Sequence, residues 1–100
     1  PPVKPEAVAF CHDFIHSKRP KYVFGRNEYA ASILKIIAVD GVIDDFTTEK
    51  YYNNVPIVDM KAVPPDALVV VAVVVGKPIR AEKRVSQFNL QQLDYYAFFK

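Results

Sequence analysis

Residues Ala67 to Val75 read Ala-Leu-Val-Val-Val-Ala-Val-Val-Val, nine consecutive apolar residues, six of them valine. A run this short cannot cross a bilayer, and its β-branched content favours extended backbone over helix. With no polar face to present to water, it predicts a strand buried on both sides, the pattern of an inner strand in a parallel sheet. Such a strand requires parallel neighbours and helices over both faces. The remainder of the chain has to supply them.

The flanking segments do so in order. From Pro5 to Ser17, Ala7, Phe10, Cys11 and Phe14 recur at i, i+3, i+4 and i+7, an amphipathic leading helix with proline in its first turn. Within it His12 and His16 lie four apart on one face beside Cys11 and Asp13, but no further ligand follows at a recognisable spacing, so they read as a solvated face rather than a metal set. Lys21 to Gly25 predicts a first strand. Ala30, Ile33, Leu34 and Ile37 mark the helix after it, with Asn27 as N-cap and Glu28 favourable to the positive helix start. Val39 to Asp44 predicts the second strand, and the valine run is the third. Ile79 to Phe88 forms a helix with Ala81, Val85 and Phe88 inward, Asn89 ends it in a left-handed conformation, and Leu90 to Tyr95 is the fourth strand. Between the second and third strands the chain is irregular: Asn53-Asn54 signals a turn, Pro56 confines Val55 to Val58 to an edge or a non-sheet connection, and Asp59 to Val63 makes a single helical turn.

The expected fold is α/β: a small three-layer open parallel sheet of about four strands in the order 2-1-3-4, behind an N-terminal helix, in one domain spanning residues 1 to 100. In such a sheet, ligands sit beyond the carboxyl ends of the strands where the strand order reverses. The strand-to-helix turns there bring together Gly25, Arg26, Asn27, Asp44, Asp45, Gly76 and Lys77 as candidate ligand-binding residues. Asp44 and Asp45 stand nineteen and twenty positions after Gly25, the offset at which a Rossmann unit places the carboxylate that holds a ribose hydroxyl. The glycine fingerprint is incomplete: Gly25-Arg26-Asn27-Glu28-Tyr29-Ala30 keeps the first glycine, has asparagine where a pyrophosphate would approach the backbone, and has alanine at the third position. Gly76-Lys77-Pro78 is not a phosphate-binding P-loop, because no glycine stands five positions earlier and no Ser or Thr follows the lysine.

Composition bounds the remaining choices. Net charge is +2 and hydrophobic residues make up 51% of the chain, which suits a folded domain and gives no basic stripe of the kind that nucleic-acid binders carry. A lone cysteine excludes an internal disulfide framework and points to a reducing, cytoplasmic setting, with no membrane span in the pattern. The aromatic run Tyr95-Tyr96-Ala97-Phe98-Phe99 should be buried, and together with the start at Pro1-Pro2 it reads as a piece of a larger protein.

The segments Tyr22-Val23-Phe24-Gly25, Gly41-Val42-Ile43-Asp44-Asp45 and Val55-Pro56-Ile57-Val58, with the valine strand and its following helix, resemble the Rossmann-like amino-terminal domain of FkbM-type methyltransferases. They are also similar to the amino-terminal domain of PglD-type sugar acetyltransferases. Asp94-Tyr95-Tyr96-Ala97-Phe98 resembles the junction at which the methyltransferase domain begins. The resemblance implies an accessory nucleotide or nucleotide-sugar recognition or docking domain of a larger transferase, with S-adenosylmethionine bound only in a separate domain. It implies as partners the catalytic domain of the parent chain or a second copy, with neither nucleic acid nor membrane. In the acetyltransferases the equivalents of Asp44-Asp45 and the first glycine turn hold a nucleotide-sugar; here Arg26, Asn27 and Glu28 replace that turn's glycines and set a carboxylate near any phosphate. Two other readings stand beside it: an NAD-type dinucleotide-binding unit of an oxidoreductase, and a structural interaction module. The segment shows no nucleophile with its base and no metal set, so no residue is expected to be catalytic.

Overall fold

A computed structural model describes residues 4–73 and 78–99. In chain order the elements are α1 (Pro5–His16), β1 (Lys21–Phe24), α2 (Glu28–Leu34), β2 (Gly41–Ile43), β3 (Tyr51–Tyr52), β4 (Val55–Val58), a 3-10 turn (Met60–Ala62), β5 (Leu68–Val71), α3 (Pro78–Gln87), β6 (Gln91–Asp94) and α4 (Tyr95–Phe99). They form one sheet in the order β3-β4-β2-β1-β5-β6.

Burial of β5 on both faces organises the molecule. All four of its residues are buried, and its side chains divide with the period of two that a strand imposes. Val69 and Val71 enter a core with Tyr22, Ile43, Met60, Ala81, Val85 and Leu90, which α3 and the 3-10 turn cover. Leu68, Val70 and Ala72 enter a second core with Phe10, Phe14, Val23, Ala30 and Ile33, covered by α1 and α2 and flanked by Tyr95 and Phe98 of α4. Burying each valine side chain contributes about 1.5–3 kcal/mol, so a strand inserted between two cores contributes on both sides. The layers are helix, sheet, helix.

Each local rule is visible where it acts. Pro5 occupies the first turn of α1, where its missing N–H is not needed, and Ala7, Phe10 and Phe14 are the buried stripe. Asn27 caps α2 by accepting from the Ala30 N–H. Asn89, at φ 54°, ends α3 in the left-handed region.

The strands expected from the sequence stand in the expected spatial order, β2-β1-β5-β6, all parallel. The count of about four is corrected to six, and the sheet is mixed rather than wholly parallel. The added strands are β3 and β4, joined by Asn53-Asn54 with φ of 48° and 65°, the backbone twist of a two-residue hairpin turn. Val55 to Val58 is likewise not an edge segment or a connection: β4 pairs in parallel with β2 and antiparallel with β3. Its proline is tolerated because the pairing to β2 starts one residue later, at Val42↔Ile57, and the Ile57 N–H bonds Lys50 O at 2.8 Å.

Gly41 lies across from Tyr22 in the β1–β2 register, and a Cβ there would stand 2.9 Å from Tyr22 Cε2 and 3.3 Å from the Pro56 carbonyl oxygen. The ring is wedged in the core, so Gly41→Ala is expected to destabilise the fold by about 1–3 kcal/mol in urea unfolding. A change below about 0.5 kcal/mol would show that the Tyr22 ring moves aside freely.

Candidate functional site

The strand order reverses between β1 and β5: the chain leaves β1 toward β2 on one side and leaves β5 toward β6 on the other. Gly25, Arg26 and Asn27 form the turn beyond β1, and Asp44 and Asp45 follow β2. Gly76 and Lys77, expected at the same edge, lie outside the described residues.

Gly25 has φ +124°, a conformation that side chains other than glycine rarely adopt, and its N–H bonds Ile43 O at 3.2 Å. That geometry turns the chain back over the ends of the strands. Asn27 then lies across the reversal itself. Its Oδ1 accepts from the Ala30 N–H at 2.8 Å, while its Nδ2 donates to Ala72 O at 2.8 Å, at the end of β5. One side chain therefore caps α2 and bridges β1 to β5. The Asn27 carbonyl also accepts from the Tyr52 hydroxyl at 2.9 Å, which ties the β3–β4 hairpin to the same turn.

Arg26 points along the edge rather than over the reversal. Its Nε donates to Asp44 Oδ2 at 2.7 Å and its Nη1 to Glu49 Oε2 at 3.1 Å. The hydrogen bond it donates to Asp44, with the charges of Asp44 and Glu49 added, pushes the guanidinium pKa up further against its partial loss of water. Asp44 is also held by the Phe46 N–H, 2.8 Å from Oδ1, and its side chain is 18% exposed.

Asp44 and Asp45 do not act together. Both follow the end of β2 at Ile43, and Asp45 bonds into the α3 layer. Its Oδ1 accepts from the Met60 N–H at 2.8 Å and its Oδ2 from Arg84 Nε at 3.1 Å. Of the five described candidates, the structure thus gathers Gly25, Arg26, Asn27 and Asp44, and it assigns Asp45 to the joint between β2, the 3-10 turn and α3.

Three participants were not among the sequence candidates. Glu49 lies in an irregular loop with no motif. Tyr52, in the two-residue β3, acts through its hydroxyl. Arg84 was hidden among the cations of an amphipathic helix.

Elsewhere, His12 and His16 have ring centroids 5.0 Å apart on α1, and no group of three metal-binding side chains occurs among the described residues. Burial raises the pKa of the Cys11 thiol, which stands 3.9 Å from Phe98 O, so it is not activated as a nucleophile. Tyr29, at the start of α2, has its hydroxyl pKa raised chiefly by Tyr96 of α4. No helix among the described residues is long and apolar enough to cross a membrane.

Compared with protein-family models, curated proteins and solved structures, the chain matches none significantly.

The double role of Asn27 is measurable. Asn27→Ala is expected to cost roughly 2–4 kcal/mol in denaturant unfolding, from the lost cap and the unpartnered Ala72 carbonyl. Asn27→Asp keeps the capping oxygen but sets an acceptor against Ala72 O, so it should remain clearly destabilised. Full wild-type stability in Asn27→Asp would contradict the bridge.

Proposed function

We propose that this chain is an accessory docking domain of a larger transferase, of the kind its sequence pattern resembles in FkbM-type methyltransferases, and that it supports catalysis carried out elsewhere. The observation that carries this reading is the Asn27 bridge: the amide side chain at the strand-order reversal is hydrogen-bonded to Ala30 and Ala72, where a ligand-binding edge would leave it free to meet a ligand. Arg26 adds to it, because its guanidinium is already matched by the carboxylates of Asp44 and Glu49. Val8 and Ile15 on α1, and Tyr96 and Phe99 on α4, stay about half exposed on the opposite layer from α3. They suit contact with the catalytic domain of the parent chain or with a second copy.

A second reading, a nucleotide or nucleotide-sugar at the carboxyl edge, has one specific observation in its favour. Asp44 follows β2 at the sequence offset from Gly25 expected of a ribose-binding carboxylate, it is oriented from both sides, and its two oxygens retain further acceptor capacity. An NAD-type dinucleotide is the less suitable occupant, since Asn27 fills the approach a pyrophosphate would need.

Thermal-shift titration with NAD, S-adenosylmethionine, UDP and UDP-sugars separates these readings. A ligand at one hundred times its Kd would stabilise the fold by about 2.7 kcal/mol. Docking is expected to show no stabilisation that depends on Asp44. A specific shift that disappears in Asp44→Ala would replace docking with nucleotide recognition as the function of the edge.

A further inference from the structure

One amphipathic helix carries three of the chain's cations. α3 carries Arg80, Lys83 and Arg84 against the single acid Glu82, a balance of +2 that equals the charge of the whole protein. The spacing is also selective. Arg80, Lys83, Arg84 and Gln87 fall at i, i+3, i+4 and i+7, so they share one face, while Glu82, two positions from Arg80, does not join it. These four residues line one shallow recess open to solvent.

Arg84 is the fixed member of the group. Its Nε is held by Asp45 Oδ2 at 3.1 Å, and its guanidinium carbon lies 4.9 Å from the centroid of the Phe88 ring. Asp45 is itself anchored by the Met60 N–H and is 14% exposed, so the guanidinium is held between two partly buried groups. A guanidinium carries five N–H donors, and the described residues engage only the Nε of this one. Among them, Arg80 and Lys83 have no carboxylate within ion-pairing distance.

We propose that the outer face of α3 is a binding site for a small, multiply charged oxyanion of the diphosphate class, with Arg84 as the pre-oriented fork and Arg80 and Lys83 closing on the anion from either side. A guanidinium held in one plane matches phosphoryl oxygens two at a time, and its ordering is already supplied by Asp45 and Phe88. The charge requirement follows from exposure. Single surface ion pairs contribute about 0–1 kcal/mol, so only an anion that engages all three cations at once gathers useful affinity here. This site lies on α3, apart from Asp44 and Arg26, and does not depend on the docking reading.

The test is titration of the whole chain with inorganic pyrophosphate, followed by isotope-edited amide NMR. Perturbations are expected along Arg80 to Gln87 and at the Arg84 side chain, weakening as sodium chloride is raised. Replacing two of the cations, Arg80→Ala with Lys83→Ala, should raise Kd at least about tenfold. Lys18→Ala with Lys35→Ala removes the same charge away from α3 and should leave Kd unchanged. Equal weakening in both double variants, or no localised response to pyrophosphate, would overturn the proposal. A parallel arm uses vesicles of phosphatidylcholine with phosphatidylserine: binding to vesicles without a pyrophosphate response would also overturn it, assigning the recess to lipid headgroups instead.

Discussion

The structure depends on one constraint: a strand with no polar face must be enclosed on both sides. Leu68, Val69, Val70 and Val71 satisfy it by alternating between two cores, and nearly every other element is placed by what those cores need. Enclosure on both sides calls for parallel neighbours, since parallel strands are joined by crossovers whose helices cover the faces. β1 and β6 are those neighbours, and α1, α2 and α3 are the covers.

The same constraint creates the strand-order reversal. A chain that leaves one inner strand in one direction and its neighbour in the other opens a gap between their carboxyl ends, and the backbone carbonyls there need partners. Many proteins leave such a gap to a ligand. Here Asn27 meets the need from within, because an asparagine has a donor as well as an acceptor: the acceptor caps α2 and the donor reaches Ala72 O. Serine or aspartate would cap the helix as well but would have no amide donor to give to β5. The departure from the glycine fingerprint and the bridging of the reversal are thus one physical fact.

Burial of the valine strand on both faces, the N-cap at Asn27 and the left-handed Asn89 were legible in the sequence because each depends on neighbours within a few residues. The β3–β4 hairpin was not. Its first strand has only Tyr51 and Tyr52, too short for any periodicity, and Pro56 argued against a strand that is nonetheless paired on both sides. What the rule on proline could not convey is register: the missing N–H falls just before the ladder with β2 begins. The candidate site divides in the same way. That Gly25, Asn27 and Asp44 would meet followed from topology, whereas the direction of Arg26 depended on Glu49, twenty-three residues away in an irregular loop. Asp45 is held toward α3 by the Met60 N–H and Arg84, fifteen and thirty-nine residues away, contacts that no local pattern announces.

The central claim is that the reversal between β1 and β5 is closed by Asn27 in the free protein. Hydrogen exchange of the Asn27 side-chain amide tests it most directly, since a proton held against Ala72 O exchanges only when the bridge opens. The account requires exchange much slower than that of a solvent-exposed asparagine such as Asn53, and the same in the presence of nucleotides. Exchange at the exposed rate would contradict it, leaving an open carboxyl edge with a free amide ready to meet a ligand.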